Sequence, residues 1–261
     1  MLTLGLDTAT GWGCLGLLRG TDVLAETGWQ AGRNQAEEFL PALAETMRRL
    51  DLAPADLDLI AVGRGPGSYT GLRIGLAMGE AIAYALGKPL TGVSTLAALA
   101  ENGAGYPGPI CPVLAAKRGE VYAALYQQGR VLADPAPFTY EALSARLAAA
   151  GAAEILLIGG QNALDSLPEQ IAKVRLLRCA AEQAHPRGAT IARLGAARPG
   201  EPALPAYLRP TEAEARFGTT LYDLDGGNPQ QTKNLQPTDQ LHPLSHAPAV
   251  RRQRLMPRKP E

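Results

Sequence analysis

Aromatic residues, cysteines and histidines are scarce in this sequence, and each shortage argues against a class of function. Aromatic residues make up 5% of the 261 residues, too few for an extended surface on which nucleic-acid bases stack. The cysteines, Cys14, Cys111 and Cys179, are odd in number and widely spaced, which fits neither a disulfide framework nor a metal site. The first histidine is His185, so the predicted helices before it lack the histidine pair that a metal site would need.

The sequence also lacks an excess of positive charge and a long apolar run. Lys and Arg together number 25, as do Asp and Glu, so no excess of positive charge points to nucleic acid. No run of about 18 apolar residues occurs, so a membrane-spanning helix is not expected. Hydrophobic residues nevertheless make up 46% of the chain, enough for a sizeable core. The sequence thus predicts a soluble protein of the reducing cytoplasm.

A glycine-rich turn is the most informative stretch of the chain. It follows an apolar segment, 59–62, that predicts a buried strand, and it precedes a helix predicted over 72–86. Its glycines and Pro66 favour a tight connection, and Ser68 or Thr70 is suited to capping the new helix. Such a turn either offers backbone N–H groups to an anion or serves only as a strand-to-helix connection.

The helix after this turn carries a row of small residues. Gly71, Gly75 and Gly79 are spaced four apart and continue with Ala83 and Gly87, so they line one side of the helix. The first three glycines together cost about 3 kcal/mol of helix propensity relative to alanine, and the close approach of another backbone would offset that cost. That backbone belongs either to a second chain or to the same fold, and a second chain is the prediction favoured here.

The N-terminus predicts a three-stranded meander in which Asp7 ends the first strand. Actin-like and sugar-kinase-like ATPase folds begin in this way, with the aspartate, a threonine and a glycine at the nucleotide phosphates. Ala9 stands here where glycine would let the backbone approach a phosphate, so one prediction is a weakened nucleotide site. The other is that the same side chains only hydrogen-bond the turn. The candidate nucleotide-binding residues are Asp7, Thr8 and Thr10.

The later part of the chain repeats the order of the first part. An amphipathic helix is predicted over 35–50, and a strand–strand–strand–helix–strand order recurs after the Gly/Pro-rich stretch 103–109. We therefore predict an α/β protein with a duplicated fold, its two subdomains built of mixed sheets flanked by helices. The predicted ranges are 1–106 for the N-terminal subdomain, 107–217 for the C-terminal subdomain, and 218–261 for a disordered tail. The end of the tail is basic, so it either touches RNA phosphates or is simply solvated.

Four stretches of the chain resemble the TsaB family, a glycoprotease-like family that serves the tRNA threonylcarbamoyladenosine machinery. They occur in matching order over about residues 1–212, and the central stretch is long and specific. The resemblance implies a duplicated actin-like ATPase fold, related to ribonuclease H, in a protein whose chemistry is done elsewhere. The stretches are Leu6–Thr10, Gly65–Gly75, Arg118–Tyr122 and Tyr207–Pro210.

By resemblance, the chain is a non-catalytic scaffold that pairs with a TsaD-type transferase for N6-threonylcarbamoylation of adenosine 37 in tRNA. A TsaE-type ATPase joins the pair, the partner subunits hold the ATP or ADP, and tRNA is reached only through the complex. The resemblance implies contact through the first two helices of the N-terminal subdomain, and a homodimer through the same surface when the partner is absent. The implied interface residues are Phe39, Leu40, Leu43, Met47, Gly71, Ile74, Gly75, Met78 and Gly79.

An enzyme in its own right is the alternative, either a nucleotide-dependent kinase of this fold or a glycoprotease-like peptidase. The family often has His-Ser where this chain has Gln35-Ala36, and often Asp where it has Ala115, so two polar sites are lost. A peptidase needs a nucleophile beside a base, but Ser68 lacks the Gly-x-Ser-x-Gly context and His185 precedes a proline. The sequence therefore predicts no catalytic residue and no metal ligand.

Overall fold

The structure is a computed structural model that describes residues 1–30, 35–117 and 119–209. The predicted tail 218–261 lies outside the described residues, as do Arg118 of the predicted hairpin and Pro210 of the last motif. The described part of the chain forms two β-sheets with helices packed on their faces. None of its helices combines the length and the hydrophobicity needed to span a membrane.

The first sheet has five strands in the order β3-β2-β1-β4-β5. β1 is antiparallel to β2 and parallel to β4, and β2 is antiparallel to β3, so the predicted meander is confirmed. All six residues of β1 are buried, as expected for a central strand with helices over both faces. The strands are β1 (Leu2–Asp7), β2 (Trp12–Arg19), β3 (Asp22–Gln30), β4 (Leu59–Gly63) and β5 (Leu90–Val93).

Two helices, α1 (Gln35–Arg49) and α2 (Tyr69–Leu86), cover one face of this sheet. Their inward side chains share a core with the strands, in which Leu4, Phe39 and Val62 are fully buried. The apolar spacing that predicted an amphipathic helix over 35–50 is therefore the spacing of the residues that pack on the sheet.

The two ends of α2 follow from local sequence. The Ser68 hydroxyl oxygen accepts a hydrogen bond from the Gly71 N–H at 3.3 Å, which satisfies one of the free N–H groups of the first turn. Gly87 ends the helix in the left-handed conformation, with φ of 63°. The cap predicted at Ser68 or Thr70 thus lies at Ser68, and the helix begins three residues before the predicted start at Leu72.

The opposite face of the first sheet is covered by α6 (Gly188–Ala197), a helix from the end of the described chain. Two glycines of the sheet make room for it: a Cβ atom on Gly5 would lie 2.2 Å from the carbonyl oxygen of Gly188, and one on Gly16 would lie 2.2 Å from the nitrogen of Ala189. The α6 sequence lies in the range predicted for the C-terminal subdomain, yet the helix packs on the N-terminal sheet.

The second sheet has six strands in the order β10-β11-β9-β6-β7-β8. α4 and α5 pack on one face of it, and α3 packs on the other. The strands are β6 (Ile110–Ala115), β7 (Glu120–Gln127), β8 (Arg130–Thr139), β9 (Glu154–Ile158), β10 (Gln170–Ile171) and β11 (Val174–Arg178). The helices are α3 (Thr95–Ala100), α4 (Tyr140–Ala148) and α5 (Gln161–Leu164).

The strand–strand–strand–helix–strand order occurs in both halves, so the duplicated actin-like fold predicted from the sequence is confirmed. β8 is longer than predicted: it runs from Arg130 to Thr139, whereas the apolar pattern indicated only 131–132. It is an edge strand with two prolines, and none of its side chains is fully buried, so its sequence lacks strand periodicity. α5, β10 and β11 were not predicted, and the first two are too short for a periodic pattern.

Candidate functional site

The candidate nucleotide site lies where β1 ends, and its aspartate is fully buried. One oxygen of Asp7 accepts a hydrogen bond from the Ala9 N–H at 2.6 Å, and the other accepts one from the Thr95 hydroxyl at 2.6 Å. Burial raises the pKa of the Asp7 carboxyl from 3.8 to about 6, although both hydrogen bonds act in the opposite direction. Both oxygens of this carboxylate therefore bond to groups of the chain itself.

The two candidate threonines also bond within the fold. The Thr8 hydroxyl donates to the carbonyl oxygen of Gly71 at 2.7 Å, which ties the turn after β1 to the first turn of α2. The Thr10 hydroxyl oxygen accepts from the Trp12 N–H at 3.1 Å and lies 3.0 Å from the Trp12 carbonyl oxygen. The structure thus brings Asp7, Thr8 and Thr10 together, and each has a hydrogen-bond partner in its own chain.

The first two glycines of the row, Gly71 and Gly75, face this turn, as does Gly67 just before the helix. A Cβ atom on Gly67 would lie 2.1 Å from the Ala9 carbonyl oxygen, and one on Gly71 would lie 2.1 Å from the Thr8 carbonyl oxygen. A Cβ atom on Gly75 would lie 2.5 Å from the Thr8 hydroxyl oxygen. At Gly71 the bare row permits the close approach of a backbone, as predicted, and that backbone is the turn after β1.

Six of the nine residues predicted for the interface are buried within their own chain. Gly71, Gly75 and Gly79 are buried against their own chain; at Gly79 a Cβ atom would be 3.3 Å from the side chains of Val62 and Leu90. Three apolar residues of α1 belong to the core, because the spacing that places them on one face of the helix points that face at the sheet. The core residues are Phe39, Leu43 and Met47.

The other three predicted interface residues reach the surface. Leu40 is 54% exposed, and Ile74 and Met78 are half-buried along the edge of α2. Beside them lies the outer face of α2, which we define by its exposed residues Arg73, Ala77, Glu80, Ala81 and Tyr84.

Tyr84 is the most exposed large side chain of this outer face, with 92% of its surface accessible. It and Ala81 were not among the residues predicted from the sequence. Helical spacing could have found them, because they lie on the side of α2 opposite Gly75 and Gly79. Tyr84 and the alanines form an exposed apolar strip along α2.

A cleft of about 1230 Å³ separates the two subdomains beside the turn after β1. Its polar side chains come from both subdomains, and residues 206–209 of the segment after α6 also line it. His185 also lines the cleft; its ring stacks on that of Trp12 with centroids 4.5 Å apart, and burial lowers its pKa. Side chains that line the cleft include Thr10, Gln30, Lys117, Tyr122, Asn162 and Arg209.

The chain is similar to a protein family and to two proteins that are named for tRNA threonylcarbamoyladenosine. The family model described as TsaD, the tRNA N6-adenosine threonylcarbamoyltransferase, matches residues 29–155. The tRNA threonylcarbamoyladenosine biosynthesis protein TsaB of Bacillus subtilis is 33% identical over 224 residues, which cover 83% of this chain and 98% of that protein. TsaB of Escherichia coli is 37% identical over 99 residues, 37% of this chain and 42% of that protein.

A solved structure supports the same grouping. YeaZ from Pseudomonas aeruginosa is 28% identical and superimposes with a TM-score of 0.65, over 79% of this chain and 99% of YeaZ. The similarity to the Bacillus subtilis protein extends over almost all of that protein, so it is not confined to the glycine-rich stretch. The chain therefore belongs to the TsaB family.

Proposed function

We propose that this chain is a non-catalytic subunit of tRNA threonylcarbamoyladenosine biosynthesis that pairs with a TsaD-type transferase. The names of its TsaB relatives support the pathway. The match of the TsaD family model to residues 29–155 supports the partner, because that range contains both α1 and α2. A transferase with equivalent helices can pair them with these in a nearly symmetric arrangement.

The hydrogen bonding of the turn after β1 is the observation that carries the non-catalytic part of the proposal. Both Asp7 oxygens and the Thr8 hydroxyl are bonded within the chain, and the Ala9 carbonyl accepts from the Ser68 N–H at 2.7 Å. A nucleotide with its magnesium ion would have to break these bonds before it could use the same groups. In the proposed complex ATP or ADP is accordingly bound by the partner subunits.

The outer face of α2 is the proposed contact surface, together with Leu40, Ile74 and Met78. Tyr84 supplies an exposed aromatic anchor, and Ala77 and Ala81 let a partner helix approach closely. The proposal includes a TsaE-type ATPase that joins the pair, tRNA bound only through the complex, and a cytoplasmic location. Without its partner the chain would form a homodimer through the same face.

Replacement of Ala81 by arginine is expected to weaken binding of the transferase subunit at least tenfold, with no loss of stability. A long cation would be placed where two helices must pack closely, and burying an unpaired charge is costly. Co-expression with a TsaD-type subunit, size-exclusion chromatography and titration of the purified proteins would measure the effect. Ala145→Arg is the matched control, because Ala145 is also an exposed helical alanine but lies on α4 of the other subdomain.

Two outcomes would count against the proposal. Unchanged affinity of the Ala81→Arg chain would remove the outer face of α2 as the contact surface. Threonylcarbamoyl transfer to tRNA by the chain alone would contradict the non-catalytic role, whatever the binding experiment gives.

A further inference from the structure

The segment after α6 contacts both subdomains at the mouth of the cleft. It first runs along β5, the edge strand of the first sheet, where the Gly92 N–H donates to the carbonyl oxygen of Glu201 at 2.9 Å. It then reaches the glycine-rich turn, where the Ala206 N–H donates to the carbonyl oxygen of Arg64 at 2.8 Å. These backbone bonds attach the segment to the first subdomain.

The next side chain of the segment is held by α2. The ring of Tyr207 stacks on that of Tyr69, with centroids 5.4 Å apart, and the Tyr207 hydroxyl accepts a hydrogen bond from Nε of Arg73 at 3.1 Å. The Arg73 guanidinium also lies 4.2 Å from the centroid of the Tyr69 ring. A ring stack, a cation–π contact and a hydrogen bond thus link Tyr69, Arg73 and Tyr207 at the start of α2.

Two residues further on, the segment reaches the other subdomain. Arg209 forms an ion pair with Glu120, the first residue of β7 in the second sheet. Both side chains of the pair are partly shielded from solvent, which strengthens such an interaction relative to a fully exposed one. The segment therefore joins the two walls of the cleft across its mouth.

We propose that residues 203–209 are a latch that holds the cleft between the subdomains in its closed position. Tyr207 anchors the latch on the first subdomain and Arg209 fastens it to the second. The chain passes between the two sheets at the junction of β5 with α3 and again at 179–187, and the latch adds a further link on the cleft side. The latch does not depend on the proposed function, since every contact that defines it lies within this chain.

A distance measurement across the cleft tests the latch. Spin labels at Gln30→Cys and Asn162→Cys, both on exposed positions of the cleft walls, would be placed in the full chain carrying Cys179→Ser. Double electron–electron resonance should give a single short distance between the two spin labels in this parent protein. Arg209→Glu and Tyr207→Ala should each broaden the distribution toward longer distances, because each removes one end of the link.

Exchanging the charges of residues 120 and 209 distinguishes loss of the latch from a general effect on folding. Glu120→Arg alone should open the cleft, and Glu120→Arg combined with Arg209→Glu should restore the short distance, since the pair reforms with its charges reversed. Tyr207→Phe keeps the stacked ring but loses the hydroxyl acceptor, so it should open the cleft less than Tyr207→Ala. Distances identical in the parent, the single variants and the double variant would overturn the proposal.

Amide exchange gives a second readout that needs no labels. The Ala206 N–H should exchange roughly three- to tenfold faster in Tyr207→Ala than in the natural sequence, in line with the energy of an aromatic stack. Protection of the β1 amides should stay unchanged if the protein remains folded. Unchanged exchange at Ala206 would show that Tyr207 does not hold the latch in place, and the proposal would fail.

Discussion

Gly71→Ala is expected to destabilise the fold by about 3 kcal/mol, because the added methyl group meets backbone rather than space. Its Cβ atom would lie 2.1 Å from the carbonyl oxygen of Thr8, so α2 or the turn after β1 must move. Such a movement also disturbs the hydrogen bond from the Thr8 hydroxyl to the Gly71 carbonyl oxygen. Urea unfolding followed by circular dichroism measures the loss as a lower midpoint.

Gly79→Ala is the matched control, because it adds the same methyl group to the same helix. There the Cβ atom would lie 3.3 Å from side chains of Val62 and Leu90, which can adjust slightly. Alanine also gains about 1 kcal/mol of helix propensity, so this variant should remain within about 1 kcal/mol of the natural sequence. Equal losses for the two variants, or no loss for Gly71→Ala, would contradict the packing of Gly71 on the turn after β1.

Ionisation of Asp7 is expected to lower the free energy of unfolding by up to about 3 kcal/mol as the pH rises from about 4 to 6. Burial raises the pKa of this carboxyl to about 6 in the fold, against 3.8 as its ordinary value. Between these values the folded state binds the proton and the unfolded state releases it, so a rising pH favours unfolding. The stabilisation that comes from the raised pKa of Asp7 is fully present below pH 4, and it is lost once the pH exceeds the pKa of the folded state.

Asp7→Asn isolates this effect from the other carboxylates. Asparagine has the same shape, stays neutral, and keeps an oxygen that can accept the Ala9 N–H bond. The difference in the free energy of unfolding between the natural sequence and Asp7→Asn should therefore change steadily between pH 4 and 6 and level off outside that window. A difference that is independent of pH would mean that Asp7 ionises in the fold as it does in water.

Local signals in the sequence were sufficient for most of the first sheet and for α2. The caps at Ser68 and Gly87 act through bonds within a few residues, and a residue type suited to each conformation stands at each site. The alternating and 3.6-residue apolar patterns likewise need no knowledge of distant partners. These features were predicted because sequence neighbours determine them.

Local signals could not predict which backbone packs against the glycines of α2. Glycines spaced four apart indicate that something approaches the helix closely, but they carry no information about which backbone approaches. The group that meets Gly71 is Thr8, 63 residues earlier in the chain. Phe39, Leu43 and Met47 were assigned to a partner by family resemblance. The sequence pattern could not show that they are buried, because an apolar stripe looks the same whether it faces a second chain or its own sheet.

The latch and the outer face of α2 also depend on tertiary structure. The contact of Tyr207 with Tyr69 and that of Arg209 with Glu120 join residues far apart in sequence, and short motifs do not encode such pairs. The Tyr207–Arg209 motif was nonetheless recognised as part of the family resemblance. Its contacts with both subdomains can be seen only in the folded structure.

The position of α6 on the first sheet has a consequence for synthesis on the ribosome. β5 ends at Val93, but the helix that fills the gap at Gly5 and Gly16 begins only at Gly188. At about 5 to 20 residues per second, the intervening residues take roughly 5 to 20 s to translate. During that interval one face of the nascent sheet is open to chaperones, and a polypeptide released before residue 188 would keep that face exposed.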